Sequence, residues 1–285
     1  MTFLSTIAHD LRYAVRMIGK SPAFSLVTIA TLALGIGANT AIVSVVDNLF
    51  FRPPPFHDVD RLVSIFETNP EKVPPDAEPP PSPGNVLDWR ERSRSFDAIA
   101  MWRNWYYAVQ SAGASSAAPE SVRGVRVSPV FFRMLGVDAA LGRTFSDQEA
   151  IPGRDSVVVL SQRLWTRRFG GDPSLVGRSV TLNGESYTIV GLAPPALAVL
   201  TGGDIWTPMT IDPGRENRLN HVITVVGRLR PGVSVAQADV NLRLVAEELR
   251  REMPSAMAKD ESVTVLPYRD ATVKGTRPAL LLLMG

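Results

Sequence analysis

Hydrophobic and polar positions along this chain follow three rhythms. From Ala23 to Val46 the sequence runs through 24 positions without a charge. A helix rises about 1.5 Å per residue, so such a run spans roughly 36 Å against a hydrocarbon thickness of about 30 Å. Ser21 and Pro22 supply a cap and a first-turn residue, and apolar character continues through Leu49, Phe50 and Phe51 until Pro53, Pro54 and Pro55 stop it. The pattern predicts one transmembrane helix over about 22–51. A cleaved signal peptide has a shorter basic start and an apolar stretch of about 7–15 residues, so a retained anchor fits better. Ahead of it, Leu4, Ile7, Leu11, Ala14 or Val15, and Ile18 recur on one helical face, with Arg12, Arg16 and Lys20 elsewhere on the cylinder. That spacing predicts an amphipathic helix over 1–21 lying on the inner membrane surface.

Beyond the prolines the rhythm becomes that of a globular domain. Leu62–Glu67, Val157–Leu160, Val180–Leu182, Tyr187–Val190 and Val222–Leu229 are rich in branched and aromatic residues and predict strands, two of them joined by an Asn183-Gly184 hairpin turn. Helical stretches are expected at about Pro83–Arg94, Pro129–Leu135, Ser161–Phe169 and Ser234–Glu252. In the last of these Ser234 is the cap, and Val240, Leu244, Val245 and Leu249 form the expected buried stripe. Strands and helices mix without strict alternation, so the class is α+β. Proline and acid crowd the segment from Asn69 to Pro83, which reads as a surface loop, and the small residues of Ser111–Pro119 read as a hairpin tip or a separator of subdomains.

Charge sharpens the membrane reading. Residues 47–275 hold 26 of the 30 basic groups and 27 of the 28 acidic ones, so this region is nearly neutral. The local surplus is Arg12, Arg16 and Lys20 against Asp10, just before the apolar run. Basic residues flanking a span mark its cytoplasmic side, which sends everything after Asp47 outward and removes the case for a nucleic-acid partner. The absence of cysteine excludes disulfides and thiolate-bound metals.

Within the span, Ala33, Gly37 and Ala41 recur every four residues and line one face with small side chains, a pattern that lets a second helix approach closely. At the other end, an apolar run from Ala279 to Gly285 begins just as the sequence stops. Seven residues cannot cross a bilayer, so 276–285 reads as the start of a second transmembrane helix.

No catalytic constellation emerges. His57 and His221, the two histidines of the exterior region, are far apart in sequence and lie in no zinc-ligand spacing, so both read as loop or core residues and no metal or cofactor is expected. No serine sits in a G-x-S-x-G elbow. Gly19-Lys20-Ser21 lacks the earlier glycine of a phosphate loop, with Ala14 in its place. Asp58 with Asp60, Glu247 with Glu248, and Arg163, Arg167 and Arg168 read as solvated charges. Trp102, Trp105, Tyr106 and Tyr107 form an aromatic cluster that either packs in the core or lines a groove for an apolar molecule.

Several segments in this order resemble one family. They are Leu34-Gly35-Ile36-Gly37-Ala38-Asn39-Thr40-Ala41 in the first helix, Arg52-Pro53-Pro54-Pro55-Phe56 at its exit, Leu87-Asp88-Trp89-Arg90, and Val127-Ser128-Pro129 with Phe131-Phe132 and Leu135-Gly136-Val137. Downstream come Leu141-Gly142-Arg143-Thr144-Phe145, Trp165 with Arg167-Arg168-Phe169-Gly170-Gly171-Asp172-Pro173, Val176-Gly177-Arg178 and Gly227-Arg228-Leu229-Arg230-Pro231-Gly232. Over nearly its whole length the chain is similar to the permeases of macrolide-exporter-type ABC transporters, in particular orphan permeases with a duplicated permease unit.

The resemblance implies an inner-membrane permease rather than an enzyme, with residues 52–275 as a periplasmic core domain between two transmembrane helices. It further implies a membrane-proximal subdomain (52–111 and 216–275) and an inserted one (112–215). Implied partners are a separate ABC ATPase subunit, since Met1 opens directly on the amphipathic helix, a second permease half or a homodimeric copy, and a periplasmic adaptor protein. The implied task is mechanotransmission, in which cytoplasmic ATP hydrolysis moves the periplasmic domain. A competing reading is a single-pass, membrane-anchored periplasmic ligand-binding or sensor module, for which twenty residues leave little cytoplasmic room.

Overall fold

The structure, a computed structural model, describes residues 20–46, 56–68, 79–110, 119–211, 218, 220–254 and 261–272. The chain forms two compact units, Met1–Pro53 and Pro54–Gly285. The first contains helix α1 (Pro22–Val46). Thr28 and Thr31 turn their hydroxyls back onto the carbonyls of Phe24 and Val27, 2.9 and 2.8 Å away. These bonds satisfy the two hydroxyls within the helix itself. Phe24, Leu26, Ile29, Leu32, Leu34 and Ile36 are all exposed within this unit. Among the described residues, however, no helix is long and apolar enough to cross a membrane; the side chains described without interruption cover only 22–37 of α1. Ala33 and Gly37 are exposed, while the side chain of Ala41 lies outside the description, as do Arg12, Arg16 and the segment 276–285. Lys20 is exposed at the start of the described region.

The second unit is built on one mixed sheet. Its strands are β1 (Leu62–Thr68), β2 (Phe96–Gln110), β3 (Glu120–Val127), β4 (Leu141–Gly142), β5 (Val157–Ser161), β6 (Ser179–Leu182), β7 (Glu185–Ala193), β8 (Ile205–Pro208), β9 (Thr224–Leu229) and β10 (Ser262–Pro267). They run in the order β10-β1-β9-β2-β3-β8-β5-β7-β4, with β6 pairing β2 and β7. Strand β2 joins the two ends of this array. Its first half, Phe96–Trp102, lies antiparallel to β9, and its second half, Trp102–Val109, lies antiparallel to β3. The helices are α2 (Pro83–Arg92), α3 (Val130–Leu135), α4 (Gln162–Phe169), α5 (Pro195–Thr201) and α6 (Val235–Glu252).

Strand alternation sorts the core into layers. On one face of β1, β2 and β9, Val63, Ile65, Ile99, Met101 and Val225 pack with Val86 and Trp89 of α2 and Leu242, Val245 and Leu249 of α6. On the other, Leu62, Ala100, Trp102 and Val226 meet Phe131, Phe132 and Leu135 around α3. A third cluster, with Tyr107, Val122, Leu160, Leu164, Leu182 and Ile189, fills the end of the sheet built from β5, β6 and β7.

The local signals behave as their chemistry requires. Ser82 accepts from the Asn85 amide at 3.4 Å and Ser161 from that of Leu164 at 3.0 Å, so each caps the helix that follows. Ser234 and Gln237 form a reciprocal capping box on α6. Asn183 and Gly184 both have positive φ, as a tight hairpin turn demands, and Asn183 Oδ1 accepts from the Ala108 amide at 2.8 Å, fastening the turn to β2.

Two expectations are corrected. Val240 and Leu244 are 58% and 53% exposed, and the buried line of α6 is instead Ala238, Leu242, Val245, Ala246 and Leu249. Positions 238, 242, 245 and 249 follow the helical spacing from the cap onward, and the two alanines let α6 lie close on the sheet. The basic residues of α4 are not simply solvated. Arg163 pairs with Asp204 at 2.6 Å, and Arg167 and Arg168 both grip Glu120, at 2.5 and 2.9 Å. Arg168 also donates to the Val109 carbonyl at 2.9 Å.

Sequence reading expected five strands where the described residues hold ten. The missed ones include β2, β3, β8 and β10, in which Arg, Asn, Ser and Thr dilute the branched and aromatic signal. Segments 69–78 and 111–118, which carry the expected proline-rich loop and small-residue stretch, lie outside the described residues.

Candidate functional site

One end of the sheet gathers an unusual concentration of buried polar groups. Glu67 is the penultimate residue of β1, Asn85 lies in the first turn of α2, His221 in the segment before β9, and Glu261 is the residue preceding β10. Antiparallel pairing brings Thr68 opposite Ser262, and this register carries the two glutamates to the same edge. The amide of Ile223 reaches the Pro81 carbonyl at 3.4 Å and holds the His221 segment against the start of α2.

Asn85 organises the group. Its Nδ2 donates to Glu67 Oε1 at 2.8 Å and to Glu261 Oε1 at 3.0 Å, while its Oδ1 accepts from Arg218 Nη1 at 2.8 Å. A cation on one side and two carboxylates on the other fix which way the amide points. Arg218 in turn pairs with Asp88 at 2.6 Å. Glu67 also accepts from the Ser82 amide at 3.3 Å. Its other oxygen, Oε2, is buried and lies 2.5 Å from His221 Nδ1. The two atoms form an ion pair when the imidazole is protonated.

Burial pushes the Glu67 carboxyl above its usual range; the contacts with His221 and Asn85 hold the rise back, and the Glu261 carboxylate adds to it. His221 is raised in turn, chiefly by Glu67, with burial opposing and a hydrogen bond to the Pro80 carbonyl assisting. Glu67, His221 and Glu261 each present one donor atom, and the three atoms lie within 4.8 Å of one another. Sequence reasoning read His221 as a loop or core residue. No local spacing could have found the cluster, because its members become neighbours only through the sheet.

A second feature is a cleft of about 570 Å³ between α4 and α5, lined by Ser161, Gln162, Arg163, Thr166, Pro195, Ala198 and Gly202. At its edge Asp204 accepts from Ser161 Oγ at 2.6 Å and pairs with Arg163. Those bonds outweigh its burial and hold its carboxyl below the usual range. Both partners are thus committed to each other.

The aromatic cluster does not line one groove. Trp102 is buried against Phe131, with ring centroids 5.3 Å apart, and Tyr107 is buried with its hydroxyl 2.6 Å from Thr207 Oγ1. Trp105 is partly exposed and Tyr106 is exposed, and the guanidinium groups of Arg103 and Arg126 sit 5.0 and 5.9 Å from the Trp105 ring. His57 is distant from His221 in role: its backbone carbonyl accepts from Arg228 Nη2 at 2.6 Å.

Several segments quoted above turn out to be scaffold. Arg228 is buried and donates to the carbonyls of Met134, Asp58 and His57 at 2.8, 3.2 and 2.6 Å. Gly227 leaves room for Phe96, whose ring would stand 2.6 Å from any added Cβ. Gly136 has φ of +67° and closes α3, with the Cβ of His57 packed over it.

Solved structures share this architecture. A domain of a protein assigned as a permease from Porphyromonas gingivalis aligns with TM-score 0.54 at 19% identity, covering 75% of this chain and 92% of that one. The extracellular domain of the noncanonic ABC-type transporter YknZ from Gram-positive bacteria aligns with TM-score 0.51 at 13% identity, covering 72% and 99%. The periplasmic region of MacB from Actinobacillus actinomycetemcomitans aligns with TM-score 0.51 at 13% identity, covering 76% and 92%. At these identities the likeness shows the fold. No curated protein matches the chain. The family described as the MacB-like periplasmic core domain matches residues 25–244, from within α1 to within α6. That family is a transporter permease domain rather than an enzyme class, and this chain belongs to it.

Proposed function

We propose that this chain is a permease component of an ABC-type transporter, anchored in the inner membrane by α1 and acting through a periplasmic body. One observation carries the reading: the family match begins at residue 25, inside the apolar helix, and continues without a break into α6. The 24 uncharged residues of 23–46 supply the span, and Arg12, Arg16 and Lys20 before it keep the amino terminus in the cytoplasm. The small-residue face of Ala33, Gly37 and Ala41 receives a second helix, from another permease half or from a second copy.

The body transmits force rather than performing chemistry. Residues 52–111 and 216–275 form its membrane-proximal part and 112–215 its inserted part, a division supported by the sheet order. Strands β10, β1, β9 and β2 come from the former, and β3, β4, β5, β6, β7 and β8 from the latter, with β2 pairing β9 on one side and β3 and β6 on the other. A strand hydrogen-bonded to both parts, such as β2, would carry a displacement from one to the other. ATP hydrolysis by a separate ABC ATPase subunit supplies the motion, and a periplasmic adaptor protein receives it.

Affinity purification of the protein from its native membrane tests the coupling. An ABC ATPase subunit is expected in stoichiometric amount. Recovery of the permease alone, under detergent conditions that preserve other transporter complexes, would contradict it.

A further inference from the structure

We propose that the open edge of β2 between α2 and α3 binds the carboxylate end of an extended peptide, which adds there as a short strand. The inference is independent of the transport reading.

Pairing leaves this edge half used. From Phe96 to Trp102, β2 pairs with β9 on one side, and β3 covers the other side only from Trp102 onward. Ser128, the residue after β3, takes both backbone groups of Met101. Its amide donates to the Met101 carbonyl at 2.9 Å, and its Oγ accepts from the Met101 amide at 3.1 Å. The chain then turns away into α3. Backbone groups alternate sides along an antiparallel strand, so Ile99, two residues before Met101, presents its N–H and C=O to the same uncovered edge. Among the described residues nothing on that side bonds to either group, although Ile99 is only 3% exposed. Buried backbone groups are nearly always paired, and an unpaired sheet edge is where another chain can add.

A pocket of about 240 Å³ opens at this edge, and Ile99, Trp89 and Arg90 of α2 and Arg133 of α3 are among its lining residues. The side chains offer donors. Trp89 is buried, and its Nε1 has no hydrogen-bond partner among the described residues. Arg90 is exposed and makes no hydrogen bond or ion pair among them; the acid whose charge acts on it is Asp147, which Arg133 already holds at 3.1 Å. That pair joins two exposed side chains and is easily exchanged for another carboxylate. Asp97, the acid in the lining, is paired with Arg61. The pocket therefore lacks a negatively charged acceptor, and the strand edge beside it lacks a chain. A peptide carboxylate supplies the first to the guanidinium groups, and its last amide supplies the second to Ile99. The volume is below the roughly 300–1,000 Å³ of clefts that enclose a whole ligand, which suits the end of a chain.

The test uses the full chain in detergent, with its five tryptophans fluorinated for fluorine NMR. The Trp89 resonance is assigned by its loss in Trp89→Phe or, by elimination, from single variants of the other four. N-acetyl-trialanine as the free acid, its carboxyl-terminal amide and sodium acetate are titrated separately at constant ionic strength. The free acid is expected to shift the Trp89 resonance saturably, with the amide and acetate each at least tenfold weaker. Arg90→Gln alters an exposed side chain and so keeps its thermal transition, yet it should weaken the free acid at least tenfold. No shift at about 10 mM free acid, where a site of about 1 mM affinity is nearly filled, overturns the proposal. So does an equal response to acid and amide, acetate binding as tightly as the peptide, or binding unchanged in Arg90→Gln.

Discussion

His221 Nδ1 lies 2.5 Å from Glu67 Oε2, placing a half-open imidazole against a carboxylate that the sheet almost wholly encloses. Both groups have raised pKa values, from ordinary values of 4.5 and 6.5. Each binds protons more readily in the folded than in the unfolded chain. Their stabilising contribution is therefore complete below 4.5 for Glu67 and below 6.5 for His221, and is lost as pH rises through the folded values. The wild-type chain should lose stability relative to Glu67→Gln as pH is raised from 5 to about 8. Thermal unfolding across that range measures it; a wild-type-minus-variant difference that does not change with pH would contradict the assignment.

Arg228 ties three carbonyls from two stretches of chain, those of His57, Asp58 and Met134, with one buried guanidinium. Arg228→Met fills similar volume but leaves those acceptors unpaired, so it should cost about 2–4 kcal/mol in urea unfolding. Arg228→Lys should recover only part of this, since an ammonium cannot present the planar fork. A loss below about 0.5 kcal/mol for Arg228→Met would show that water replaces the guanidinium freely.

On α6, two leucines two residues apart should respond in opposite ways. Leu242→Ala removes a fully buried side chain and should destabilise by about 2–5 kcal/mol. Leu244→Ala trims one that is 53% exposed and should stay within about 0.5 kcal/mol. Equal effects would mean that the helix sits on its other face.

That helix also marks how far sequence reading reached. Its limits and its Ser234 cap were legible, because caps and helical periodicity are local. Its buried face was half misassigned, because Val240 and Leu244 are as apolar as Leu242, and only the sheet beneath decides which side is covered. Strand β2 was missed for a related reason: Arg103, Asn104 and the exposed Tyr106 interrupt its apolar character where it passes between its two partners. Val157–Ser161 and the Asn183-Gly184 hairpin were plain, since a continuous branched run and a left-handed turn pair carry their own signal. The cluster of Glu67, His221 and Glu261 left no trace in spacing, because the β1–β10 register and the contact of the His221 segment with the start of α2 assemble it from distant stretches of chain.

The small-residue face of α1 yields a prediction about association. A Cβ added at Gly37 would meet nothing within 4 Å among the described residues, so Gly37→Leu leaves the helix intact. If another helix packs on that face, the leucine will hold the backbones apart. Crosslinking between permease units in native membranes should drop severalfold, with membrane insertion unchanged. Undiminished crosslinking would place the contact elsewhere.

The absence of cysteine from the sequence makes topology directly measurable. Tyr106, exposed on β2, and Arg12, ahead of the apolar run, can each be replaced singly by cysteine and treated with a membrane-impermeant maleimide in intact spheroplasts. A permease anchored by α1 with its body in the periplasm predicts that Tyr106→Cys is labelled at once and Arg12→Cys only after the membrane is permeabilised. Labelling of Arg12→Cys in intact spheroplasts, or protection of Tyr106→Cys, would contradict it.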